Sequence, residues 1–92
     1  MFPHELDGAK VLWYTEKADY GCIRYTTGEI SDRRSFYAIC QYPGGQGVYL
    51  FSCDESYAVI MDAQLDSVEA GKQNVVLRYP DVIWHAYADS SR

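Results

Sequence analysis

Ninety-two residues, 48% of them hydrophobic and 23% charged, provide enough apolar material for one folded domain and exclude an intrinsically disordered chain. A net charge of −5, with Arg33-Arg34 as the only adjacent basic pair, excludes a nucleic-acid binder, which needs clustered Lys and Arg. No apolar run approaches the roughly 18 residues of a membrane span, the first ten residues carry no signal stretch, and three cysteines form no CxxC pair. These features predict a cytoplasmic chain, off the membrane, with free thiols and no cofactor or metal.

Ala9–Thr15 is β-branched and aromatic enough for a first strand, and Glu16–Asp19 for a polar turn. Tyr20–Thr26 reads as a second strand. Thr27–Arg34 is the most polar stretch and reads as a loop, with Gly28 and Ser31-Asp32 as its markers. Ser35–Tyr42 and Val48–Cys53 form the clearest element, a hairpin around Pro43-Gly44-Gly45-Gln46-Gly47. That glycine cluster lacks the spacing and the lysine of a phosphate-binding loop, so it is a turn.

Asp54–Ser56 is a short turn, and Tyr57–Ala63 reads as a further strand. Leu65–Tyr79 is the one predicted helix. Asp66 and Glu69 have capping-box spacing, and Val68, Val75, Val76 and Tyr79 recur on one face. Gly71 weakens it by about 1 kcal/mol relative to Ala, and Pro80 ends it. Val82–Tyr87 is a closing strand, followed by a frayed tail. These elements predict an α+β domain over residues 1–92, with an antiparallel sheet of four to five strands and a helix packed on one face.

Alternation along the hairpin makes both sheet faces apolar. With Tyr42 opposite Val48, one face carries Phe36, Ala38, Cys40, Tyr42, Val48 and Leu50, and the other Tyr37, Ile39, Gln41, Tyr49, Phe51 and Cys53. A one-residue change in loop length re-pairs these sets. The valine-rich helix is assigned to the smaller-residue side. The opposite side then needs another cover: the segment Met1–Leu6 with the 27–34 loop, a second copy, or a ligand. Nine tyrosines in so short a chain favour a contact surface, and Tyr37, Ile39, Tyr49 and Phe51 are the expected interface.

Catalytic signals are weak. His4 and His85 do not announce a metal site, and Asp54-Glu55 reads as turn chemistry. No cysteine has a local activator, and no serine elbow is present. No catalytic residue is named. Asp62 among apolar neighbours, with Trp84 and His85, marks the best alternative, a ligand pocket between sheet and helix.

The run Tyr49-Leu50-Phe51-Ser52-Cys53-Asp54-Glu55-Ser56-Tyr57-Ala58-Val59, the helix start Leu65-Asp66-Ser67-Val68-Glu69-Ala70 and the piece Tyr79-Pro80-Asp81-Val82-Ile83-Trp84 resemble a pattern in small uncharacterised bacterial proteins of accessory or mobile-element type. The resemblance covers about the second half of the chain. It implies a bacterial setting and the same fold, and carries no site residues. The leading expectation is a non-enzymatic interaction module that forms a homodimer or binds another protein, a basic one by charge. A small-molecule binder or minor enzyme is the alternative.

Overall fold

A computed structural model of the chain describes residues 2–24, 26–45 and 47–87; the expected frayed tail from Ala88 lies outside the described residues. The elements are β1 (Glu5–Leu6), β2 (Ala9–Thr15), β3 (Cys22–Arg24), β4 (Ile30–Arg33), β5 (Phe36–Gln41), β6 (Val48–Cys53), β7 (Val59–Leu65), α1 (Val68–Arg78) and β8 (Trp84–Ala86). The class is the α+β antiparallel one read from the sequence. A curled sheet, half of a barrel, runs β1-β2-β5-β6-β7, with β8 pairing on β2 and one helix near the C-terminus. β3 and β4 form a separate two-stranded ribbon, so the polar 30–33 segment, expected as loop, is a strand.

Two turns set the register. Asp7 and Gly8 take φ of +50° and +85°, and join β1 to β2 as a tight two-residue hairpin. Between β5 and β6, the Gly45 amide donates to the Tyr42 carbonyl, and Gly44 has φ of +69°. Pro43 therefore occupies the second and Gly44 the third place of a turn that needs positive φ. Tyr42 belongs to the turn and not to the ladder. Gln41 then faces Val48, Ile39 faces Leu50 and Ala38 faces Phe51.

This register corrects the expected faces. Tyr37 and Ile39 share a side with Leu50, while Phe36, Ala38 and Cys40 share one with Tyr49, Phe51 and Cys53. Two bulges preserve the pattern along the neighbours. Val11 pairs Cys40 but Trp13 pairs Ile39, so Leu12 is extra. In a regular strand Val11 and Trp13, two residues apart, would share a face; the bulge at Leu12 puts Val11 and Tyr14 on the Phe51 side and Trp13 on the Ile39 side. On β7 the irregularity at Ile60 likewise keeps Val59 beside Cys53 and Asp62 beside Phe51.

The helix lies on the Ile39 side, not on the Ala38–Cys40 side expected from its valines. The reason is Gly71. A Cβ built there would come 2.5 Å from Leu65 Cδ1 and 3.1 Å from Ile39 Cδ1, so the missing side chain is what lets the helix approach. Gly71 and Val75 are its buried residues, while Val76 and Leu77 face outward. Its N-cap is Ser67, one residue later than the expected Asp66: Ser67 Oγ accepts from the Ala70 amide. β7 keeps Leu65 paired with Val48, which leaves Asp66 to turn the chain. At the other end Pro80 disfavours helical backbone at Tyr79, whose φ of −132° and ψ of 79° close the helix.

Two cores result. Beneath α1, Tyr20, Tyr37 and Val75 pack with Leu50, Tyr79, Val82 and Trp84. On the opposite side Ala9, Val11, Phe36, Ala38, Cys40, Phe51 and Cys53 are covered by Phe2 and Leu6 with Tyr57 and Tyr87. Phe2 is the centre of this lid. Its ring stacks on Tyr14 at 4.7 Å and meets Phe36 and Tyr57 edge-on, and its carbonyl accepts from the Tyr87 hydroxyl. Phe2 and Leu6 thus supply part of the first cover expected, whereas the 27–34 segment expected with them contributes β4 to the separate ribbon.

Candidate interaction surface

The lid stops short of one end of the sheet. There Tyr42 leaves β5 and turns back over β6. Its ring meets Tyr49 edge-on at 5.5 Å and lies 6.3 Å from Phe51. Both tyrosines remain half-buried, with the exposed Gln64 paired to Tyr49 and the exposed Asp62 paired to Phe51. Partial burial and the carboxylates of Asp62 and Asp7 hold the Tyr42 hydroxyl above its usual phenol range. Asp62 lies on the edge strand opposite Phe51, and Asp7 in the β1–β2 turn; both are exposed. The Lys17–Glu55 and Glu16–His85 ion pairs lie elsewhere on the surface. Half-exposed aromatic rings with an exposed carboxylate on the neighbouring edge strand are suited to a cationic side chain, which gains from ring face and charge together.

Of the expected interface residues only Tyr49 belongs to this surface. Tyr37 is 7% exposed, and Ile39 and Phe51 are fully buried. The six-residue turn puts Tyr37 and Ile39 under the helix, and Phe51 under Tyr42. Tyr49 alone keeps an accessible edge. Tyr37 is also fixed by its amide, which donates to the buried Thr15 hydroxyl at 3.0 Å.

The residues expected to line a ligand pocket are also separated. Asp62 is on β7, whereas Trp84 and His85 are on β8, with β2, β5 and β6 intervening. Trp84 pairs with Thr15 and packs in the core beneath the helix, while His85 pairs with Tyr14. His85 Nε2 lies 2.9 Å from Glu16 Oε2 at the surface. The Trp84 indole nitrogen is buried with no hydrogen-bond partner among the described residues. A cleft of about 350 Å3 does exist, but between the 16–20 loop and the 78–83 connection, lined by Tyr20, Tyr79, Val82 and Ile83 with Glu16 and Arg78 at its edge. None of Asp62, Trp84 and His85 lines it.

Other candidate chemistry resolves into structure. Asp54 Oδ1 accepts from the Ser56 and Ala58 amides, at 2.8 and 3.0 Å, and so shapes the turn in which Tyr57 takes φ of +68°. Its carboxylate is occupied there. Cys22, Cys40 and Cys53 are free thiols. Burial pushes the thiols of Cys40 and Cys53 up to about 12, with Cys53 adding to it at Cys40 and the carboxylates of Asp54 and Asp7 adding to it at Cys53. Neither is a nucleophile at neutral pH. His4 is exposed, near the Tyr87 ring. Among the described residues no group of three His, Cys, Asp or Glu side chains is placed to hold a metal ion.

The participation of Tyr42 and Asp7 was missed in the sequence reading. Asp7-Gly8 is itself a strong hairpin signal, and would have placed an acid at the sheet end. No helix of the described residues is long and apolar enough to cross a membrane. A scan against protein-family models found no match, and comparisons with curated proteins and with solved structures likewise found none.

Proposed function

We propose that this chain is a non-enzymatic interaction module that binds another protein, a basic one, in the cytoplasm. The observation that carries the reading is the half-buried pair Tyr42 and Tyr49 beside Phe51, whose partner on the edge strand is the exposed Asp62. Elsewhere the chain covers its own sheet with Phe2, Tyr57, Tyr87 and α1. A net charge of −5 would steer a cationic partner to it. Three unpaired cysteines, two of them buried, accord with a reducing compartment.

The test is affinity capture with wild type and a Tyr42→Ala/Tyr49→Ala/Asp62→Asn variant, with far-UV circular dichroism to check the fold. The reading expects a basic protein retained by wild type and lost from the folded variant. An identical retained set from both would refute it. The cleft at Tyr20 and Tyr79 supports a second reading, a small-ligand binder, since about 350 Å3 falls within the range of ligand pockets. Its test is a ligand-library thermal-shift screen, with Tyr79→Ala abolishing any stabilisation found.

A further inference from the structure

We infer that the outer edge of β7 is a strand-addition site whose occupant is an extended basic segment of a partner protein. The inference deepens the proposed function and rests on it. The sheet treats its two edges differently. On the β2 side the edge is divided between β1, of two residues, and β8, of three. Short edge strands are one of the ways in which proteins prevent unwanted pairing.

The β7 side has no such protection. β7 is seven residues long and, among the described residues, pairs only with β6. Its irregularity at Ile60 lies near the start, and from Met61 to Leu65 the ladder is regular against Ser52 to Val48. No backbone hydrogen bond among the described residues reaches its outer side. The strand contains neither Pro nor Lys, and Met61, Asp62, Ala63 and Gln64 are all exposed. Four exposed residues in regular conformation, Met61 to Gln64, thus make up an open strand edge. That is the geometry to which an extended segment adds by main-chain pairing.

Charge selects the occupant. Asp62 stands at the centre of β7, on the same side as Tyr42 and Tyr49. An added strand would place its alternate side chains on that side. A Lys or Arg opposite Asp62 would meet its carboxylate across the strands and extend toward the tyrosine pair. A second copy of this chain brings its own Asp62 and its own net charge of −5 to the same edge, which disfavours it.

The experiment is a titration of the 15N-labelled full chain, followed by amide chemical shifts. The probe is a short peptide of alternating threonine and valine with a central lysine; the control carries glutamate in its place. The expected result is shifts concentrated in residues 59–65, with the lysine peptide binding about tenfold more tightly and losing that advantage at high salt. In Asp62→Lys, an exposed substitution, the preference should reverse. Shifts located away from β7, no shifts with either peptide, or equal binding by both peptides would overturn the inference. A partner captured as described above by a chain whose β7 ignores both peptides would remove the strand-addition site and leave the interaction module standing.

Discussion

Gly71→Ala tests the helix–sheet contact most sharply, because two effects of opposite sign meet at one atom. In an exposed helix the substitution stabilises by about 1 kcal/mol. Here the new Cβ would lie 2.5 Å from Leu65 Cδ1 and 3.1 Å from Ile39 Cδ1. Carbon contacts settle at about 3.5–4.0 Å, so the Leu65 methyl must retreat by about 1 Å and the Ile39 methyl by about half that. Leu65 is a flexible side chain at the rim of the core. Ile39 is fully buried and has no free space to enter. Overpacking of this kind costs about 1–3 kcal/mol, so a net loss of about 1 kcal/mol is expected, or about 4–8 °C in Tm for a domain of this size. Urea unfolding followed by circular dichroism would measure it. In a Leu65→Val background, which lacks the δ-carbons, Gly71→Ala should become neutral or stabilising, with a coupling of about 1 kcal/mol. A stabilising effect of Gly71→Ala alone, additive with Leu65→Val, would refute the close approach.

Three further outcomes follow from the same packing. The folded chain holds the protons of Cys40 and Cys53 up to about pH 12, against the ordinary 9.0, so stability should be level below about pH 9 and fall from there toward 12. The slope is at most about 1.4 kcal/mol per pH unit for each thiol, and urea midpoints at pH 8 and pH 10 check it. The raised hydroxyls of buried Tyr20 and Tyr37 act in the same direction from pH 10 upward. With a thiol reagent at neutral pH, half-buried Cys22 should react in the native protein, and Cys40 and Cys53 only after unfolding. Asp54→Ala removes the acceptor for two amides and frees Tyr57 from its left-handed backbone. A loss of about 1–2 kcal/mol by urea unfolding is expected, largely recovered in Asp54→Asn.

The strands and the helix were legible because their signals are local. Pro43-Gly44 marks the central hairpin, and Pro80 the end of the helix. Faces were harder, because side-chain direction has a period of two and a single residue inverts it. Counting Tyr42 as ladder instead of turn moved Tyr49 and Phe51 to the wrong partners. Nothing local marks Leu12 as a bulge, since its role is defined by Cys40 and Ile39 on another strand. The helix was placed by its valines, whereas the decisive residue is Gly71, read as a weakness in sequence and serving as the contact point. β4 escaped notice because a two-stranded polar ribbon needs no apolar alternation. The uncovered end was partly visible, through Tyr49 and Asp62. Its other members, Tyr42 and Asp7, are both turn residues, and only the fold brings them together.

The central claim is that the chain closes both of its own apolar faces and leaves the β7 edge and the Tyr42–Tyr49 end for a partner of opposite charge. Light scattering during gel filtration, over a concentration series at physiological salt, tests it most directly. The mass of a single 10.5 kDa chain is expected throughout. A stable dimer whose mass persists on dilution would contradict it, because a second copy would then occupy the surface assigned to a basic partner.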